Sequence, residues 1–390
     1  MKAPLLDAAV ARAVLLAGAT ACVAVAAEPP EETSAINPFA SYTLDGLRVF
    51  HGGLSGGETL AGLVDFGATV DLARLWQGGR GELLVHGLYF HGDDPSAELV
   101  GDFAYLDNIV ASGGVRLYQL VYQWEDDAGG FRVGLTSVDE DFGSCETAAL
   151  FINSAFGPIQ TLGVNSGLAI WPLNALGTVV HRHVGQGGFV RAGVYDGVAE
   201  PEEGSNRGTR HHLNAKDGFL AHVDLGHTWG SSDTPGAASL GGWWHTGRTE
   251  RHGDGQTVRG NYGLHVTLEQ ALDRDGVWLG FARVGYSPRQ DRSYVRLQFD
   301  TGVVVSGRWF GREDDQAGFG FFHTAFSEDY VAGRRIAGDA VASTETGLEL
   351  TYSLSLGRGI TLQPDLQYIV SPAEGGDDAL VGILRFYVEL

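Results

Sequence analysis

The chain has 390 residues and a net charge of −22, a balance that excludes phosphate-backbone binding, because nucleic-acid binders carry basic faces. Only 19% of the residues are charged and 58 are glycine, against typical values of about 25% charged and about 7% glycine in soluble proteins. A 44% hydrophobic content excludes a disordered chain, and after residue 30 no run approaches the roughly 20 apolar residues of a spanning helix.

Residues 1–26 read as a secretory signal peptide. Lys2 and Arg12 precede the apolar run AVLLAGATACVAVA, which ends in small residues. Cleavage after Ala26 and after Ala27 fit equally well. Cys22 admits a lipoprotein start, although Ala19 stands where such signals usually carry Leu. Glu28-Pro29-Pro30-Glu31-Glu32 breaks any helix that would continue inward. With the signal removed, Cys145 is the one thiol left, so no intrachain disulfide is expected. Residues 27–57, rich in Pro, Glu, Ser and Gly, read as an irregular lead-in.

From residue 58 to 390 one pattern recurs: about ten residues of alternating apolar and polar character, then Gly, Asp, Asn or Pro. Val64, Phe66, Ala68, Val70 and Leu72 form one apolar row, Tyr262, Leu264, Val266 and Leu268 another, and Leu348, Leu350, Tyr352, Leu354 and Leu356 a third. Weaker versions cover 219–225, 295–299, 319–325 and 362–368, and the last runs through Leu384, Phe386, Val388 and Leu390. Period two places each row on one face of a strand. The strand length suits a tilted bilayer crossing, and apolar-out, polar-in alternation with Gly-rich turns is the pattern of a transmembrane β-barrel. Trp243, Trp244, Tyr286, Trp309 and Phe310 lie near strand ends, as aromatic girdles would. A soluble β-sandwich also alternates and stays open as a reading. At roughly 20 residues per strand with its share of turns, the segment gives about 16 antiparallel strands, wide enough for an aqueous channel. The polar rows are then expected to line a wet lumen.

Residues 198–260, rich in Gly, His and charge, read as variable external loops. Pro364 is awkward within a strand, since proline removes a ladder donor. His181 and His183 share a strand face, but no third metal ligand is identifiable, and the run Asp139-Glu140-Asp141 lacks the spacing of a calcium loop. No G-x-S-x-G elbow, H-E-x-x-H or P-loop occurs. No catalytic residue, metal or cofactor is therefore expected, and the chain does not read as an enzyme.

Six segments in order resemble the carbohydrate-selective porin family of the OprB type. They are Leu88–Ile109, Arg116–Trp124, Ala149–Gly157, Gly167–Gly177, Ala192–Gly197 and Ile360–Pro372. The chain departs from the family pattern at Gln119 and Gln123, where an acidic residue is usual, and at Ser371-Pro372, where Asn-Pro is usual. The C-terminal strand pattern ends at Leu390, whereas such barrels generally end on an aromatic residue that the assembly machinery reads. The resemblance implies a barrel in the bacterial outer membrane with a loop folded inward to form a constriction. It also implies passive diffusion of small hydrophilic solutes, sugars above all. The implied partners are those solutes, outer-membrane lipid and the barrel assembly machinery, with monomer and trimer both open. By resemblance and position, the constriction candidates are Arg116, Tyr118, Asp139, Asp141 and Asn153, and Arg116 has the alternative role of pairing with a carboxylate to hold the loop. A secreted polysaccharide-binding or polysaccharide-cleaving β-protein and a non-conducting structural barrel are the rival readings.

Overall fold

The computed structural model describes residues 34–167, 169–199, 207–211, 213–214 and 216–390. The signal-peptide reading of residues 1–26 falls outside them. Sixteen antiparallel strands close into one barrel, each paired with its neighbours in sequence, and β16 (Asp377–Glu389) closes the ring against β1 (Ile36–Gly53). In a closed ring every interior strand group finds a ladder partner, which a lipid-exposed sheet edge would not.

The connections are asymmetric. At one end lie tight turns such as 127–128, 185–187 and 358–359. At the other lie 93–113, 137–174, 197–218 and 327–343. Short turns at one rim and long loops at the other are the form of outer-membrane barrels.

The alternation expected from sequence holds on the outer face. Leu264 and Val266 of β10 (Thr257–Ala271) and Leu348 and Leu350 of β14 (Thr344–Gly357) are exposed, while the intervening His265, Thr267, Glu345, Glu349 and Thr351 are buried. Trp244, Tyr286, Trp309 and Phe310 also face outward. Trp243 does not: it alternates with Trp244 on β9 (Pro235–Glu250) and is buried inside the barrel.

Three readings need correction. The supposed lead-in 27–57 contains β1, whose inward row Ser41, Thr43, Asp45, Leu47 and Val49 mixes polar and apolar side chains and so hides the period. The segment 198–260 is not only loop: β8 (Phe219–Gly230), β9 and the start of β10 occupy most of it. Several of its glycines and histidines, among them His222, Gly241 and His245, point inward, so its composition looks like loop composition. Finally, the inward polar rows are largely covered rather than wet: Thr267 and Thr351 are buried, and Gln363 joins Thr351 to the Leu150 carbonyl of an inserted loop. Pro364 lies within β15 (Ile360–Val370), paired with Leu384 of β16 on one side. On the other side the ladder to β14 is interrupted between Thr351↔Asp365 and Leu354↔Leu362, where the missing N–H would have bonded.

Candidate functional site

The loop 137–174, between β5 (Gly129–Thr136) and β6 (Ala175–Val184), enters the barrel and crosses it. Its apolar residues Leu150, Phe151, Ile152 and Phe156 pack with Phe281, Val304 and Phe322 of the opposite wall. Glycines on that wall allow the approach. A Cβ at Gly320 would lie 2.6 Å from the Phe156 ring, and one at Gly285 would lie 2.2 Å from Thr161 Oγ1. Part of the glycine excess is thus the footprint of a loop seated directly on strand backbone.

The loop's backbone groups are cut off from water, and wall side chains satisfy them. Glu349 accepts from the amides of Ile152 at 2.5 Å and Asn153 at 3.0 Å. Glu269 accepts from the Thr147 amide and hydroxyl, both at 2.8 Å. Gln298 accepts from the Gln160 amide, and Gln363 donates to the Leu150 carbonyl at 2.8 Å. Arg283 of β11 (Trp278–Tyr286) donates to the carbonyls of Gly143, Gly157 and Ala155 while its Nε pairs with Asp300 at 2.7 Å. A second loop, 93–113, lies beside the first. Its Phe103 and Ala104 amides donate to Glu345, and Gln367 donates to Leu106. Arg385 of β16 joins Asp45 at 2.7 Å to Asp107 at 3.2 Å. The two loops also bond each other through Asn108 N–Ile152 O and Ser154 N–Tyr105 O.

The other side of the lumen carries the base of the constriction loop and a different chemistry. Tyr118 sits at a bulge of β4 (Gly114–Asp126) opposite His86 and Gly87, so Tyr118 and Gln119 both point inward. The Tyr118 hydroxyl donates to Glu140 and meets Ser137 Oγ at 2.8 Å, and its ring lies edge-on to His86. Burial raises the Glu140 carboxyl to about 8, against an opposing pull from Arg132, and burial likewise raises Asp139. Asp139 accepts from the Trp171 amide, closing the loop's two ends on each other. Arg132 bonds Asp141 at 3.2 Å, and Arg191 of β7 (Gly188–Asp196) donates to the Asp141 carbonyl.

The sequence candidates are therefore placed as follows. Arg116, Tyr118, Asp139 and Asn153 are buried, and Asp141 is partly exposed. Tyr118, Asp139 and Asp141 come together at the loop base. Asn153 lies on the inward-folded segment as expected, but its amide is bonded to Gln367 at 2.9 Å and its carbonyl oxygen caps the turn Ser154–Phe156. Arg116 faces inward on β4 two residues before Tyr118. With 1% of its surface exposed, the Tyr118 ring has no free face for a sugar.

Sequence reasoning missed the wall residues Arg283, Gln298, Glu345, Glu349, Gln363, Gln367 and Arg385. A signal was present in Gln363, Asp365 and Gln367, three hydrogen-bonding side chains at period two on one strand face. It also missed Arg132 and Arg191, which bracket Asp141. A third group does stand beside the histidine pair of β6: Glu125 Oε1 lies 3.5 Å from His181 Nε2, and with His183 these form a three-residue cluster near the turn end.

A family model described as carbohydrate-selective porin, OprB family, matches residues 57–390. No curated relative matches the chain. Among solved structures, the high-pH structure of OprB from Pseudomonas putida is 20% identical with a TM-score of 0.81, over 91% of this chain and 94% of that one. The low-pH structure of the same porin is 16% identical with a TM-score of 0.57, over 91% and 93% of the two chains. An anion-selective porin from Comamonas acidovorans is 11% identical with a TM-score of 0.53, over 91% and 99%. Likeness at these identities speaks for the barrel fold.

Proposed function

The chain belongs to the carbohydrate-selective porin family, and from that premise we propose that its solute selectivity resides at the rim of the constriction loop, in Arg132, Asp141 and Arg191. The protein is a bacterial outer-membrane channel for passive, sugar-preferring diffusion of small hydrophilic solutes, a channel rather than an enzyme. The observation that carries the selectivity proposal is the bracketing of Asp141. Its carboxylate bonds Arg132 and its carbonyl accepts from Arg191, and all three side chains keep some exposure. Opposed charges there hydrogen-bond hydroxyls while offering neither cation nor anion a single-sign trap. Release stays fast because each solute contact replaces an internal one.

Arg116, Tyr118, Asp139 and Asn153 are assigned a supporting role: they fix the loop on which the charged rim stands. Single-channel recording tests the division. Arg191→Gln should raise cation preference and weaken block by sugars, whereas Asn153→Ala should leave ion preference unchanged and increase current noise. Equal ion preference in wild type and Arg191→Gln would remove Arg191 from the selectivity site.

Export through a signal peptide cleaved after Ala26 or Ala27 belongs to the same reading, as does delivery to the barrel assembly machinery. N-terminal sequencing of the membrane form checks the first. A lipidated Cys22 start would overturn it. Chemical cross-linking in native membranes decides between monomer and trimer.

A further inference from the structure

We propose that His222, Asp224 and His265 form a binding site for a divalent metal ion of the zinc class, set into the lumen wall beneath the constriction loop. His222 and Asp224 lie on β8 and His265 on β10, and Gly241 of the intervening β9 pairs with both Asp224 and His265. Three ligand atoms converge. His222 Nε2 lies 2.9 Å from Asp224 Oδ1 and 3.0 Å from His265 Nε2, and His265 Nε2 lies 3.4 Å from the same carboxylate oxygen. Ligand bonds of about 2.0–2.1 Å, the range for zinc with imidazole and carboxylate, give ligand–ligand edges of roughly 2.9–3.4 Å between right-angled and tetrahedral geometry. The observed triangle spans that interval.

Burial of the ligands and the cradle at Gly241 support the assignment. The three side chains are almost wholly buried, and their three mutual polar contacts meet at one point. The Nδ1 atoms of both rings are buried without a hydrogen-bond partner among the described residues, so both rings make their polar contacts at the point of convergence, without the outer acceptor that a metal-bound histidine usually has. Gly241 keeps that point open on one side: a Cβ there would lie 2.1 Å from both Asp224 Oδ1 and His265 Nε2. Two histidines and one carboxylate are a neutral-to-borderline donor set suited to zinc, cobalt, nickel or copper rather than to calcium or magnesium. Arg191, the neighbouring cation, has its guanidinium engaged by the Asp141 carbonyl.

An ion at this point would tie β8 to β10 across β9. It would also fix the His222 ring, which stacks on Phe142 of the constriction loop with centroids 4.1 Å apart. The site stands independently of the selectivity proposal, since none of its ligands belongs to the charged rim.

The test uses the purified, detergent-solubilised barrel and cobalt(II) as the probe. Wild type should take up one cobalt per chain with ligand-field bands in the visible, and zinc should displace it. His265→Gln and His222→Gln, checked for assembly by heat-dependent gel mobility, should weaken binding by more than about 100-fold, since loss of an outer-shell partner alone costs about 10–100-fold. His181→Gln at the other histidine cluster should leave binding unchanged. Should a ligand variant fail to assemble, anomalous diffraction from cobalt-soaked wild-type crystals still decides, with a peak expected within bonding distance of both Nε2 atoms. Absence of saturable binding by wild type would overturn the site. So would full binding by an assembled His265→Gln barrel, or an anomalous peak confined to the Glu125–His181–His183 cluster.

Discussion

The two sides of the lumen hold the same loop by different means. On the wall from β10 to β16, side chains of Glu269, Arg283, Gln298, Glu349 and Gln363 bond directly to loop backbone. On the side of β4 to β8, ionisable side chains bond mainly to one another: Tyr118 to Glu140, Arg132 to Asp141, His222 to Asp224. Bonds from these side chains to loop backbone hold the loop itself in place, so the first wall fixes shape. A charged pair can titrate or exchange its partner for a solute, so on the proposed reading the second wall is where pH, ions and solutes would act. The difference teaches that a constriction needs an inert anchor on one side so that its reactive edge on the other can stay adjustable.

Breaking the anchor should have the largest effect. Arg283→Met leaves Asp300 as an uncompensated buried charge and orphans three loop carbonyls. Removing one partner of such a buried pair costs about 3–5 kcal/mol, and the urea midpoint of the folded barrel should fall accordingly. Glu349→Ala is the milder version. It leaves the Ile152 and Asn153 amides without their acceptor, at about 1–3 kcal/mol for buried unsatisfied donors. Limited proteolysis should then cut within 137–174 while the strands stay intact. Protection equal to wild type would mean that the apolar packing of Phe151 and Phe156 holds the loop alone.

On the adjustable side the effects should be chiefly functional. Asp141→Asn weakens the pair with Arg132, so it should lower the unfolding free energy by about 1 kcal/mol while shifting the reversal potential towards anions. The smallest effect is pH-dependent and comes from Glu140. Its carboxyl is raised to about 8 by burial, with Asp139, Asp141, Arg132 and Tyr118 around it. A carboxyl raised on packing holds a proton that the unpacked loop would release, so its packing is fully favoured below the ordinary value of 4.5 and weakens as pH climbs through about 8. Channel noise should therefore grow between pH 6 and pH 9, and Glu140→Gln should flatten that dependence. A wild-type channel equally quiet at both ends of this illustrative range (roughly pH 6 to 9) would remove Glu140 as the cause.

Much of the fold was legible because lipid imposes one rule on every outer position: Leu264, Val266, Leu348 and Leu350 repeat at period two whatever lies inside. The inner face obeys no such rule. β1 escaped notice because Leu47 and Val49, covered by the apolar loop cluster, stand in the row that also holds Asp45. β9 escaped, and β8 showed only weakly over 219–225, because inward glycine and histidine resemble loop composition. At the site, Asp139, Asp141 and Tyr118 were found near one another because they are close in sequence. Arg191 and Arg283 were not, since contacts between residues 141 and 191 and between residues 157 and 283 leave no local trace.

The central claim is that the folded barrel passes sugars through a lumen narrowed by an anchored loop. Liposome swelling tests it directly, with wild type and Glu349→Ala compared across monosaccharides, disaccharides and an amino acid of monosaccharide size. Wild type should pass monosaccharides faster than the amino acid and discriminate sharply against disaccharides, and Glu349→Ala should lose part of that size discrimination. No swelling with any solute from correctly assembled wild type, or identical size profiles for the two proteins, would contradict the account.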